Sequence, residues 1–100
     1  MPAPDVWVAK DDGSDIVRAG AIAAVGRDYN GTVTARLCGG GEGSAVTLVA
    51  VAPHEGKHTP DGFHRQLIRV VAQLSDAAGA ALVRPVWDEP HGWHWVTEPL

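Results

Sequence analysis

The sequence predicts an α+β fold: an antiparallel β-meander of four to six strands packed by one amphipathic helix, with a C-terminal β-hairpin. Three observations carry that expectation. Short runs of β-branched and aromatic residues in the first half are separated by Gly-, Asn- and Asp-containing turns. One stretch, Phe63 to Ala78, repeats its apolar residues at helical spacing. Two strand-like runs then flank Glu89-Pro90-His91-Gly92 near the C-terminus. At 100 residues the chain is a single small α+β domain spanning 1–100.

The elements follow in order. Val6-Trp7-Val8-Ala9-Lys10 is rich in strand formers and runs into the turn signal Asp12-Gly13. Ile16-Val17-Arg18 resumes the strand, Gly20 marks a bend, and Ile22 to Asp28 continues beyond it. Asn30-Gly31 signals a hairpin of type I′, whose two central residues both need positive φ. From Thr32 to Cys38, Val33, Ala35 and Leu37 share one face while Thr34 and Arg36 take the other. The run Gly39-Gly40-Gly41-Glu42-Gly43 lacks the Lys-Ser or Lys-Thr pair of a phosphate loop and reads as a connection between strands. Residues 46–51 are almost continuously apolar, as in a central strand.

Phe63, Leu67, Val70, Val71, Leu74 and Ala78 form the apolar stripe of the helix. Thr59 is placed to cap it with Pro60 at the first helical position, or Asp61 one turn later. Gly79 suits a left-handed C-terminal cap. Ala80 to Trp87 and Trp93 to Val96 are the strands of the terminal hairpin, and Pro85 argues for an edge position for the first of them.

Composition excludes several classes. Apolar residues make up 45% of the chain and charged residues 20%, too apolar for disorder. The net charge of −4 without a basic cluster argues against nucleic acid or an anionic membrane as partner. Six arginines against two lysines, with abundant alanine, valine and glycine, is the bias of a GC-rich bacterial genome. The single cysteine, Cys38, forms no internal disulfide and reads as a strand residue. No apolar run approaches the ~20 residues of a membrane span, and the N-terminus lacks the pattern of a signal peptide. The expected location is cytoplasmic.

One pattern carries metal chemistry. His54 and His58 are four apart with Glu55 between, and His64 follows ten residues after the first. On a helix the first two would share a face, and Glu55 would stand beside a metal-bound water. Over these eleven residues the chain resembles the metzincin zinc peptidases. The resemblance implies zinc held by His54, His58 and His64, with Glu55 as general base. The chain departs from the family pattern around that core: Asp61 stands where a glycine is required, Gly62 comes one place late, and the only methionine is Met1, so no methionine turn exists. Gly56 costs a helix about 1 kcal/mol and Pro60 breaks it. Zinc at this loop, structural or hydrolytic, is therefore the alternative expectation; the main one has no cofactor.

No catalytic dyad or triad is legible. The leading functional expectation is a non-enzymatic interaction protein: an adaptor, an accessory subunit or a homo-oligomer. Its contact surface would be the Trp-rich hairpin, with Trp87, His91, Trp93, His94 and Trp95 as partner-binding residues. Trp93 and Trp95 share a face with Trp87 close by across the turn, and His94 points the other way. The competing expectation for the same indoles is that they close one end of the core.

Overall fold

The computed structural model describes residues 6–38, 44–50, 58–74, 80–89 and 91–99. Their strands are β1 (Val6–Ala9), β2 (Ile16–Arg18), β3 (Ile22–Arg27), β4 (Val33–Leu37), β5 (Ala45–Val49), β6 (Ala81–Asp88) and β7 (Gly92–Pro99). A 3-10 turn, Ala19–Ala21, links β2 to β3, and one helix, α1 (Phe63–Leu74), precedes β6. The α+β class, the meander, the helix and the C-terminal hairpin are all present. The Gly39 to Gly43 run, the His54-Glu55-Gly56-Lys57 segment and the Gly79 cap lie outside the described residues.

Two sheets, rather than one continuous meander, make up the β structure. Four strands run β2-β1-β6-β7, and three run β3-β4-β5. The larger sheet is mixed, because β1 pairs parallel with β6 at Val6↔Ala81, Trp7↔Leu82 and Val8↔Val83. The 3-10 turn carries the chain out of the first sheet after only three residues of β2. Asp11 ties the two sheets together, its N–H donating to the Leu48 carbonyl at 2.8 Å.

The mixed sheet corrects the edge position expected for Pro85. Strand β6 lies between β1 and β7, yet its pairing with β1 ends at Val83. Pro85 is thus beyond the reach of β1 and is paired only with Trp95 of β7. A proline in an interior strand is tolerated here because its missing N–H falls where there is no second neighbour. Strand β5 is likewise the end strand of its sheet and not a central one. Its consecutive residues Leu48 and Val49 are both buried in the core because Leu48 is the extra residue of a bulge, Val33 pairing with Val49 and Thr34 with Thr47.

The core lies between the sheets and the helix. Val6, Val8 and Val83 come from the mixed sheet, Val33, Ala35, Leu48 and Val49 from the other, and Phe63 and Leu67 from α1. Phe63 and Leu67 are four apart, one turn of the stripe, while Val70, Val71 and Leu74 pack at its margin. Burying each large side chain contributes about 1.5–3 kcal/mol, so the stripe docks a helix too short to persist alone.

Two local expectations change. The β3–β4 connection is a five-residue loop from Asp28 to Thr32, not a two-residue type I′ turn. Only Gly31 has positive φ, +97°, because the Asp28 carboxylate organises the loop by accepting from Asn30 N–H at 2.9 Å and Thr32 N–H at 3.0 Å. Thr59 does not cap α1. Its hydroxyl donates to the Gly31 carbonyl at 2.6 Å and accepts from Arg27 Nε at 2.9 Å, while Arg27 Nη2 donates to the Thr59 carbonyl at 2.7 Å. The Gly62 carbonyl instead accepts the first helical bond, from Gln66 N–H. Thr59, only 3% exposed, is the one buried polar side chain among the described residues, and these bonds account for it.

Candidate functional site

Register places the aromatic residues of the hairpin. Trp87 is directly opposite Trp93, and Trp95 opposite Pro85, so the three indoles share one face of β6 and β7. That face is turned toward the helix. Trp95 stacks on Phe63 with ring centroids 4.5 Å apart and planes 14° from parallel, and its Nε1–H donates to the Phe63 carbonyl at 2.9 Å. Trp93 approaches the same ring at 6.5 Å and 57°. Trp93 and Trp95 are half-buried and pack against the core, locking the first turn of α1 to the end of the chain.

His94 is on the other face, as the alternation of β7 predicts. With Asp88 and His91 it forms a polar cluster at the hairpin tip. His91 Nδ1 lies 3.3 Å from Asp88 Oδ1, and His94 Nε2 lies 3.7 Å from Asp88 Oδ2. The two imidazoles meet nearly edge-on, 6.3 Å apart. His94 Nδ1 is 3.1 Å from the Gly92 carbonyl, a bond that needs its proton on Nδ1. Two imidazoles and a carboxylate thus stand together at the hairpin tip.

The same outer face carries a row of apolar side chains that composition did not reveal. Register aligns Ile16 of β2, Trp7 of β1, Leu82 and Val86 of β6, and Val96 of β7. Ile16 is 51% exposed, and the other four are half-buried without joining the core cluster. Charged residues stud the row: Arg84 Nε pairs with Glu98 Oε1 at 3.1 Å, and the Arg18 guanidinium lies 5.0 Å above the Trp7 ring. The signal was present in the sequence as Leu82, Val86 and Val96, apolar at the positions alternating with the hairpin's core residues. It became legible only once β1 and β2 were seen to extend that face.

The histidine loop is partly described. His54 and Glu55 lie outside the described residues. His58 is exposed, with Nδ1 2.8 Å from the Asn30 carbonyl, which commits that nitrogen as a donor and leaves Nε2 open. His64 stands in the first turn of α1, half-buried, its Nδ1 enclosed without a hydrogen-bond partner. Among the described residues no group of three or more His, Cys, Asp or Glu is arranged to hold a metal ion. Cys38 is exposed just past the end of β4, its N–H donating to the Ala21 carbonyl at 2.6 Å.

These features define a small two-sheet α+β domain with a polar-tipped hairpin and an apolar outer sheet face. No family model, no curated protein and no solved structure matches the chain. No helix among the described residues is long and apolar enough to cross a membrane.

Proposed function

We propose that the protein is a non-enzymatic interaction protein that pairs with a second copy of itself through the outer face of its four-stranded sheet. The observation that carries this reading is the alignment of Trp7, Ile16, Leu82, Val86 and Val96 on one face, apart from the core. Apolar side chains gathered on one accessible sheet face among charged groups suit an association surface. The hairpin remains the contact element, but it engages through His94 and Val96, while Trp87, Trp93 and Trp95 brace it from behind.

Self-pairing is favoured by the charges on the face. Arg18 lies level with Trp7 and Leu82, whereas Asp88 is six residues further along β6, roughly 20 Å away at ~3.3 Å per residue. A two-fold axis near the Arg84–Glu98 pair brings the Arg18 end of one copy toward the Asp88 end of the other. Such an isologous contact is the commonest way for a soluble chain to associate.

Sedimentation equilibrium tests the reading. The parent chain should form dimers, and Val96→Asp, placing a carboxylate in the patch, should return it to monomers with unchanged circular dichroism. A parent chain that stays monomeric up to its solubility limit would sink the proposal.

A further inference from the structure

We infer that a second surface, the cleft between β3 and α1, receives an apolar peptide segment flanked by carboxylates and supplied by another protein. The cleft has a volume of about 210 Å³. That is below the roughly 300–1,000 Å³ of sites for drug-sized molecules and suits one or two inserted side chains. Its walls are Ala19, Ala23 and Ala24 on one side and Leu67, Ile68 and Val71 of α1 on the other. The alanines leave the trough open because each contributes only a methyl group. Ala23 is the extra residue of a bulge, since Ile22 pairs with Leu37 and Ala24 with Arg36. Ile68 stands 58% exposed at the rim.

Charge identifies the occupant. The elements that build this side of the molecule, the 3-10 turn, β3, β4 and α1, contain no Asp or Glu, yet they carry Arg27, Arg36, Arg65 and Arg69. The helix wall of the cleft therefore carries two arginines and no carboxylate, in a chain whose net charge is −4. Arg27 is committed to Thr59 and Asp61. Arg65 and Arg69 are exposed, and α1 carries no carboxylate. Arg65 and Arg69 flank Ile68 on the helix, whereas Arg36, which alternates with the buried Ala35, is on the face of its sheet turned away from α1. A second copy docked two-fold on this same cleft would set arginine against arginine. A segment with a leucine- or phenylalanine-like residue between Asp or Glu residues fills the trough and neutralises its rim.

The test is selection of a displayed library of short random peptides on the intact chain, followed by fluorescence anisotropy with the enriched peptides. The expected winners carry a large apolar residue with neighbouring Asp or Glu. Their affinity should fall at least tenfold, about 1.4 kcal/mol, in Ile68→Lys and in the Arg65→Glu/Arg69→Glu double variant. It should also weaken as salt is raised. Arg84→Glu, on the outer face of the other sheet, should leave it unchanged. Three results would each overturn the inference: no enrichment, winners without carboxylates, or full binding by a folded Ile68→Lys variant. Dimers that dissociate on Ile68→Lys would do so as well, because they would make the occupant a second copy.

Discussion

Replacing Gly31 by alanine perturbs the fold at one point in two separable ways. Gly31 has φ +97°, a backbone region costly for any residue with a Cβ, at about 1–3 kcal/mol. It also faces Thr59 at close quarters. An added Cβ would stand 2.8 Å from Thr59 Oγ1 and 2.9 Å from Thr59 N, distances that require one partner to move. The contact with backbone nitrogen matters most, since turning the Thr59 side chain cannot relieve it. Displacing Thr59 breaks its bond to the Gly31 carbonyl and loosens the two bonds from Arg27. Leaving such buried groups unsatisfied costs about 1–3 kcal/mol. The total for Gly31→Ala is about 2–6 kcal/mol. Gly13 and Gly92 supply the control: their φ values, +76° and +74°, incur a similar dihedral cost, but nothing lies within 4 Å of a Cβ at either position. Urea unfolding followed by tryptophan fluorescence would measure all three variants. Gly31→Ala should be the least stable by at least ~1 kcal/mol, the bonding part of the cost. If it were no less stable than Gly13→Ala, the clamp between the β3–β4 loop and Thr59 would have no energetic content.

Other expectations follow from the same geometry. Trp95→Phe keeps a ring over Phe63 but loses the indole bond to its carbonyl, so it should cost about 1 kcal/mol in the same urea assay; Phe63→Ala, which empties the centre of the core, should cost about 3–5 kcal/mol. Asp28→Ala removes the acceptor for two loop N–H groups, and hydrogen exchange at Asn30 and Thr32 should accelerate while the helix amides remain protected. Hydrogen bonds from the Ser14 side chain and backbone hold the Asp12 carboxyl below its usual range, with Lys10 adding a smaller electrostatic pull. A depressed carboxylate stabilises the fold above its unfolded pKa and loses that contribution as pH falls through the folded value. An NMR titration should therefore find the Asp12 midpoint below that of an unstructured Asp, and Ser14→Ala should move it up.

What the sequence disclosed were elements whose cause is local, the Asp28-organised loop in place of the Asn30-Gly31 turn being the exception. Alternation over Thr32 to Cys38 anticipates β4, the stripe from Phe63 to Leu74 anticipates α1, and Glu89-Pro90-His91-Gly92 anticipates the closing hairpin, because each signal is written within a few residues of its effect. Even the shared face of Trp87, Trp93 and Trp95 follows from the two-residue period and the position of the turn. Partner choice is another matter. Nothing near Val6 announces a parallel partner at Ala81, and with that pairing unknown Pro85 looked like an edge residue and the row from Ile16 to Val96 had no reason to be joined. Thr59 read as a helix cap because its neighbours are Pro60 and Asp61; in the fold its hydroxyl answers to Gly31 and Arg27, residues brought close by the β3–β4 hairpin. The cleft beside Ile68 arises in the same way, from a bulge in β3 meeting a helix whose own pattern says only which side is buried. Dihedral preference and periodicity act along the chain, whereas sheet order, clamps and surfaces are set by contacts between segments far apart in it.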